Sequence, residues 1–217
     1  MKQFVVIGCG RFGASVARTL HSQGYDVLAI DNDEEKVQEI SESVTYAVQA
    51  NVEDENVLKS LGIRNFDVAV ISIGSDIQAS IMATLIVKEM GVKTVIAKAQ
   101  SDVHAKVLYK IGADRVVFPE RDMGVRVAHN LVSSNVLDYI ELAPNYSIIE
   151  IFALKEWENK TLKELRLPAK YGINVMAIKQ NDSVNISPYA DDIVKPGDVL
   201  IVIGSNEDLS KLEKKAD

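Results

Sequence analysis

The sequence of 217 residues has one cysteine, three histidines and one tryptophan. The single cysteine, Cys9, excludes an internal disulfide and a multi-cysteine metal site, which is typical of a protein in the reducing cytoplasm. No stretch approaches the roughly 18 apolar residues that cross a bilayer, and the first residues resemble neither a signal peptide nor a transit segment. We therefore expect a soluble cytoplasmic protein.

Basic side chains are in the minority, with 24 Lys and Arg against 31 Asp and Glu and a formal net charge of −7. This charge argues against a nucleic acid or an anionic membrane surface as the main partner. The sequence also lacks the motifs G-x-S-x-G, H-E-x-x-H and G-x-x-x-x-G-K-S/T. The corresponding hydrolases, zinc proteases and P-loop nucleotide hydrolases therefore have no support.

Three glycines form a G-x-G-x-x-G motif at residues 8–13. A predicted strand at residues 4–7 precedes the motif, a helix follows it, and the next predicted strand, residues 27–30, leads to Asp31. This order of strand, glycine loop, helix and acidic strand end predicts an adenine-nucleotide site. The alternative is a glycine turn that binds nothing.

Each residue of the motif has a predicted task. Gly8 permits a tight turn, Gly10 lets a phosphate approach the backbone, and Gly13 lets the helix pack closely on the strand. The free N–H groups at the helix start would face the phosphates. Arg11 and Phe12 complete the loop, and the Arg11 guanidinium suits a terminal phosphate, with an ordinary surface arginine as the alternative.

Asp31 follows Gly13 by 18 residues, where a carboxylate accepts hydrogen bonds from both ribose hydroxyls. Such a carboxylate repels a 2′-phosphate and disfavours NADP, but it does not separate NAD from ATP or ADP. Asn32 and Asp33 are candidates for contacts with ribose or adenine, and Asp33 is equally suited to capping the next helix.

Four further candidates follow predicted strands of the sheet, at whose carboxyl ends ligands bind. They are Ser72, Gly74, Lys98 and Glu120. Lys98 suits a phosphate, and Glu120 suits a cation that the phosphates share. The alternative for these last two is a salt bridge between them.

The strand and helix pattern predicts an α/β protein with two domains. A Rossmann-like, doubly wound parallel sheet is expected first, and its strands are residues 4–7, 27–30, 46–49, 68–72, 94–97 and 115–118. Residues 123–135 predict a further helix, either a cover for the sheet or a crossover or dimerisation helix. A small α+β domain then follows, with strands at residues 147–153, 173–179, 184–186 and 198–203, helices at 162–167 and from 207, and a turn at 181–182.

Several segments closely resemble the RCK proteins that regulate potassium transport, in particular the Ktr type, and the resemblance covers the whole chain. They are residues 8–13, 29–31, 60–67, 110–115, 119–124 and 169–174. The resemblance implies an RCK-N domain at residues 1–120 that binds ATP or ADP, a crossover helix and linker at 121–143, and an RCK-C domain at 144–217 that binds cyclic di-AMP at a dimer interface.

The resemblance also implies an assembly. Subunits of this type form a homo-octameric ring built from dimers, on the inner face of the cell membrane, beneath a potassium channel dimer of the KtrB/KtrD type. In such a ring ATP favours the conducting state, and ADP or cyclic di-AMP favours the inactive one.

Residue roles carried over from the resemblance are as follows. Arg11 would reach the terminal phosphate, Asp31 and Asp33 would hold the nucleoside, and Glu120 would help to hold Mg²⁺, Ca²⁺ or Na⁺. Contacts with cyclic di-AMP are implied for Ile173, Asn174 and Pro188, with core and turn packing as the alternative. Relatives commonly carry arginine where this chain has Pro168, and this departure predicts altered or compensated binding of the dinucleotide.

Two functions therefore stay open. The first is a nucleotide-gated regulator of a potassium transporter, without enzymatic activity. The second is a small NAD-binding oxidoreductase or NAD(H) sensor. Arg11 favours the regulator, and so does a second domain without histidine, because a dehydrogenase needs a general acid or base there.

Overall fold

The computed structural model describes residues 2–132, 136–181 and 183–216. The chain divides into two compact units, Met1–Pro119 and Glu120–Asp217. The last part of the helix predicted at 123–135 and one residue of the turn predicted at 181–182 lie outside the described residues. No helix in the described stretches has the length and apolar composition that crossing a membrane requires.

The first unit is a parallel sheet flanked by helices. Its strands are β1 (Gln3–Ile7), β2 (Asp26–Asp31), β3 (Tyr46–Gln49), β4 (Val68–Ile71), β5 (Thr94–Lys98) and β6 (Arg115–Val117). Its helices are α1 (Arg11–Ser22), α2 (Glu34–Ser41), α3 (Glu55–Ser60), α4 (Ile77–Glu89) and α5 (Asp102–Lys110). The six strands lie in the order β3-β2-β1-β4-β5-β6, which confirms the predicted doubly wound fold. The order reverses between β1 and β4, where such sheets bind ligands.

Both faces of this sheet are covered. In β1 the side chains of Val5, Val6 and Ile7 are fully buried, and Val6 packs in a different core cluster from the other two. Neighbouring residues of a strand point to opposite faces, so helices must cover the two sides. The carboxylates of Asp33 and Asp54 accept hydrogen bonds from N–H groups at the starts of α2 and α3, so both residues cap helices, as expected for Asp33.

The second unit combines short and long helices with an antiparallel sheet. Its helices are α6 (Pro119–Val132), α7 (Leu162–Leu165), α8 (Leu167–Tyr171) and α9 (Asn206–Ala216). Its strands are β7 (Val136–Ala143), β8 (Tyr146–Phe152), β9 (Lys160–Thr161), β10 (Ile173–Gln180), β11 (Ser183–Asn185), β12 (Ile193–Val194) and β13 (Val199–Ser205). One sheet has the order β11-β10-β13-β8-β7, and β12 pairs with β9. The predicted α+β fold is confirmed.

One face of the larger sheet is buried and the other is not. Along β8, Ile149 and Ile151 are fully buried, Glu150 between them is half-buried, and Phe152 is exposed. The buried face packs against a core that includes Trp157. This alternation is typical of an antiparallel sheet with one solvated face.

The structure adds one strand to this unit and shortens one helix. Strand β7 has no counterpart among the predicted strands, and irregular pairing at both of its ends disrupts the alternation that marks a strand. The helix predicted at 162–167 ends at Leu165, because Arg166 has a φ of 49°, in the left-handed region.

Candidate functional site

The loop at residues 8–13 joins β1 to α1 and is held from two sides. The Gly8 N–H donates to the Ile30 carbonyl at 2.7 Å, and the Ser72 hydroxyl donates to the Gly8 carbonyl at 2.5 Å. Gly8 has a φ of 97°, which side chains rarely adopt. The first position of the loop therefore requires glycine for its backbone conformation.

The other two glycines of the motif differ in their surroundings. A β-carbon at position 13 would lie 1.9 Å from the Gly8 carbonyl oxygen and 2.2 Å from Ser72 Oγ. A β-carbon at Gly10 would meet no atom of the described residues within 4 Å. Gly13 therefore allows α1 to approach the loop, whereas Gly10 borders open space. The N–H groups of the first turn of α1 form a helix start that suits phosphate.

The Asp31 carboxylate is tied to this loop. It is only 7% exposed, its Oδ2 accepts the Cys9 N–H at 2.6 Å, and its Oδ1 accepts the Asp33 N–H at 3.0 Å. An ionised carboxylate has about four acceptor positions, so these two bonds leave room for hydroxyl donors. Burial, and after it the charge of Asp31, raises the pKa of the Cys9 thiol to about 12, so the thiol stays neutral.

Sequence reasoning missed one residue of this cluster, Lys36 of α2. Its Nζ lies 3.1 Å from Asp33 Oδ2 and 3.9 Å from Asp31 Oδ1. The hydrogen bond from Lys36 holds the pKa of Asp33 below its usual value. The spacing of three residues between Asp33 and Lys36 is the signal that would have found it, since such residues are neighbours on a helix.

The predicted residues after β4 and β5 lie near this loop or near each other. The buried Ser72 hydroxyl is close to both Gly8 and Ile7, since its Oγ is 3.2 Å from the Ile7 carbonyl oxygen. Ser72 thus fixes the start of the loop through its hydrogen bond to the Gly8 carbonyl. A β-carbon on Gly74 would lie 3.2 Å from Lys98 Nζ, so the Lys98 amine borders Gly74.

Three further predicted residues, Arg11, Phe12 and Asn32, are neighbours of Gly10 or Asp31 in the sequence. Arg11 is the first residue of α1 and is exposed. Phe12 is half-buried and packs against the core cluster that includes Val6. Asn32 is exposed, and its carbonyl accepts a hydrogen bond from the Gln49 amide at 3.1 Å.

Glu120 belongs to the other unit, as the second residue of α6. Within the described parts of the chain, no group of three or more His, Cys, Asp or Glu side chains is arranged to hold a metal ion. A cation bound by Glu120 would therefore need further oxygen ligands, such as those of a nucleotide.

The residues assigned to cyclic di-AMP lie in different surroundings. Ile173 is fully buried in the core of the second unit, whereas its neighbour Asn174 is exposed and Pro188 is half-buried. Because the Ile173 side chain belongs to the core, only its backbone would be within reach of a ligand. The alternative of core packing thus accounts for this side chain.

Comparison with known proteins assigns the family. The TrkA-N domain model matches residues 4–119 and the TrkA-C domain model matches residues 148–217. The chain is 52% identical to Ktr system potassium uptake protein C of Bacillus subtilis, over 99% of this chain and 97% of the relative. It belongs to the RCK family, in its Ktr type. Protein A of the Ktr system from the same organism is 45% identical over 99% of this chain and 96% of the relative.

This Ktr-type chain also shares its fold with part of a channel protein. The GsuK channel bound to NAD has a TM-score of 0.68 at 17% identity, over all of this chain. The chain spans about two fifths of that channel's length, since the match covers 39% of it. At this identity the likeness shows the fold alone. The two Bacillus subtilis relatives are potassium uptake proteins of the Ktr system, not enzymes.

Proposed function

We propose that this Ktr-type protein is the nucleotide-gated regulatory subunit of a potassium transporter, and that ATP or ADP binds at the loop of residues 8–13. One observation carries the proposal: the Asp31 carboxylate is hydrogen-bonded to the Cys9 N–H, and the next residue, Gly10, borders open space. The space suits phosphates and the carboxylate suits ribose hydroxyls. The two Bacillus subtilis relatives support the transport role.

At the phosphate end we assign Arg11 to the terminal phosphate of ATP and Lys98 to the same phosphate group. Glu120 would bind Mg²⁺, Ca²⁺ or Na⁺ shared with the phosphates. The exposed position of Arg11 at the start of α1 supports its assignment. Asn32 and Asp33 would border the nucleoside beside Asp31.

The proposed gate is a shift between two arrangements of the assembly. A ligand moves such an equilibrium only by the difference between its affinities for the two states. ATP and ADP differ by one phosphate, so the residue that contacts this phosphate supplies the difference. Arg11 has that role in the proposal.

In the second unit we propose a site for cyclic di-AMP near Asn174 and Pro188, with the Ile173 backbone beside them. The exposed side chain of Asn174 supports it as a donor and acceptor for the ligand. Pro168 has no side-chain donor for a phosphate, so we expect binding of the dinucleotide to be altered, or compensated by another residue, relative to proteins with arginine there.

We further propose a division into residues 1–120, 121–143 and 144–217 for the nucleotide domain, the crossover segment and the cyclic di-AMP domain. The subunits would form an octameric ring of dimers in the cytoplasm. The ring would bind the inner face of a membrane channel of the KtrB/KtrD type.

Calorimetric titration of the nucleotide-free protein with ATP, ADP, NADH and cyclic di-AMP, with and without Mg²⁺, tests the proposal. We expect saturable binding of ATP and ADP and separate, additive binding of cyclic di-AMP. Tight binding of NADH together with no heat from cyclic di-AMP would favour an NAD(H) sensor, because the same loop and carboxylate also suit NAD.

The variant Arg11→Ala should weaken ATP binding about tenfold or more and leave ADP binding within about threefold, because a charge-assisted contact is lost only with ATP. The exposed Arg18 on the same helix provides the control variant Arg18→Ala, which should bind both nucleotides normally. Equal losses for ATP and ADP in Arg11→Ala would contradict the role of Arg11.

A further inference from the structure

Lys36 connects the two carboxylates at the ribose end of the proposed site. Its ammonium nitrogen lies 3.1 Å from Asp33 Oδ2 and 3.9 Å from Asp31 Oδ1. The lysine stem is on α2, outside the glycine motif, and the side chain is 43% exposed. The ammonium therefore lies between the carboxylates without being part of the core.

These carboxylates need an opposing charge. Asp31 Oδ1 accepts the Asp33 N–H at 3.0 Å, so the two acidic residues lie in one short turn. Like charges at such short range repel, and an ammonium between them offsets the repulsion. A lysine ammonium is charged at neutral pH, and the hydrogen bond to Asp33 raises the pKa of Lys36 further.

The orientation of Asp31 has consequences for a ligand. Its Oδ2 is fixed by the Cys9 N–H at 2.6 Å, so the carboxylate can turn only by breaking that bond. The contact of Lys36 is with the other oxygen, Oδ1. The N–H groups of Cys9 and Asp33 thus hold the carboxylate at its two oxygens, and the Lys36 ammonium lies close enough to Oδ1 for charge attraction but not for a hydrogen bond.

We propose that Lys36 is a positioning residue for ribose recognition: by pairing with Asp33 it holds the turn that orients Asp31 toward the ribose hydroxyls. The inference rests on the proposed nucleotide binding. Because Lys36 acts at the ribose rather than at the phosphates, it affects ATP and ADP equally. Its role is thereby separable from that of Arg11.

The test is calorimetric titration of the full-length Lys36→Met variant, which keeps most of the apolar stem and removes the charge. We expect about tenfold weaker binding of both ATP and ADP, with their affinity ratio unchanged. For 2′,3′-dideoxy-ATP, which lacks both ribose hydroxyls, the affinities of the variant and of the unaltered protein should differ by less than about twofold. Asp31 then has no ribose hydroxyl from which to accept a hydrogen bond.

Two variants control for indirect effects. Lys59→Met removes an exposed lysine that pairs with Glu55 on α3, in the same unit, and should leave all three affinities unchanged. Lys36→Arg restores the charge and should recover most of the ATP affinity. The melting temperature of each variant shows whether the fold is kept.

Several outcomes would overturn the inference. An equal loss for ATP and dideoxy-ATP in Lys36→Met would mean that Lys36 acts on the phosphates or on the fold. Normal binding of ATP by Lys36→Met would overturn the inference while leaving the proposed nucleotide site intact. No binding of adenine nucleotides by the unaltered protein would overturn the proposed function and this inference together.

Discussion

In β1 of the first unit three consecutive residues are fully buried, whereas in β8 of the second unit buried and more accessible residues alternate. A parallel sheet covered on both faces leaves only its strand ends for polar chemistry. An antiparallel sheet with one solvated face presents side chains along whole strands. The two units therefore build ligand sites in different ways.

The candidate residues follow this division. Asp31 ends β2, Ser72 comes directly after β4, and Lys98 ends β5, so all three lie at the carboxyl edge of the parallel sheet. Asn174 lies within β10, where it is exposed while Ile173 before it is buried. The first site depends on how strand ends meet, and the second depends on which face of a strand is solvated.

The largest effect should come from adding a methyl group at Gly13. In Gly13→Ala the new β-carbon would lie 1.9 Å from a backbone oxygen, which cannot yield without moving the loop. We expect a loss of about 3 kcal/mol or more in the free energy of unfolding, measured by chemical denaturation and circular dichroism, together with loss of ATP binding.

Gly204 in the second unit is the matched position. There the closest approach of a β-carbon would be 2.9 Å, to Ile173 Cγ2, compared with 1.9 Å to a backbone oxygen at Gly13. Gly204→Ala should lower the free energy of unfolding by only about 1 kcal/mol. The unfolding can be monitored by the fluorescence of Trp157, the only tryptophan in the sequence. Equal losses in the free energy of unfolding for Gly13→Ala and Gly204→Ala would contradict the expectation that the glycine loop tolerates an added methyl group less well than β13 does.

An alanine scan along β1 and β8 should show the difference between the sheets directly. Val5→Ala and Val6→Ala should each lower the free energy of unfolding by about 2 kcal/mol, because both valine side chains are fully buried. In β8, Ile149→Ala should cost about 3 kcal/mol, whereas Glu150→Ala should change the free energy of unfolding by less than about 0.5 kcal/mol. A small effect at either valine would show that one face of the parallel sheet is poorly packed.

The smallest effect concerns an ion pair of the first unit. Asp114 Oδ2 accepts hydrogen bonds from Lys88 Nζ and from the Val95 N–H, each at 2.7 Å, and the Lys88 ammonium together with that N–H holds the pKa of Asp114 below its usual value. The half-exposed carboxylate should contribute about 1 kcal/mol to the free energy of unfolding at pH 7. Chemical denaturation of Asp114→Ala and of the unaltered protein measures this difference.

The pH dependence of this contribution has a definite sign. A carboxyl whose pKa is lower in the folded state stabilises the fold above its unfolded pKa, near 3.8, and loses that effect as the pH falls through the folded value. The difference between Asp114→Ala and the unaltered protein should therefore shrink below pH 3.8. Glu89→Ala, at an exposed carboxylate beside Lys88, is the control and should change the free energy of unfolding at pH 7 by less than about 0.5 kcal/mol. Asp138, paired with Arg126 in the second unit, should respond in the same direction.

Local patterns predicted much of the fold. Strand β3 has the predicted bounds, and the caps Asp33 and Asp54 lie where helices begin, because apolar periodicity and capping are properties of neighbouring residues. Strand β7 was missed because irregular pairing interrupts its alternation, and the break after Leu165 was missed because the left-handed backbone of Arg166 has no glycine to mark it.

The sequence by itself determined the fold class, the glycine loop and the acidic end of β2, since each is encoded in a short stretch of chain. Only the tertiary structure decided how these parts meet. The Ser72 hydroxyl supports a loop 64 residues away, and Asp31 accepts an N–H 22 residues away. The placement of Lys36 between two carboxylates likewise depends on how α2 packs after the turn at Asp33. Such contacts follow from strand order and packing, which no local pattern specifies.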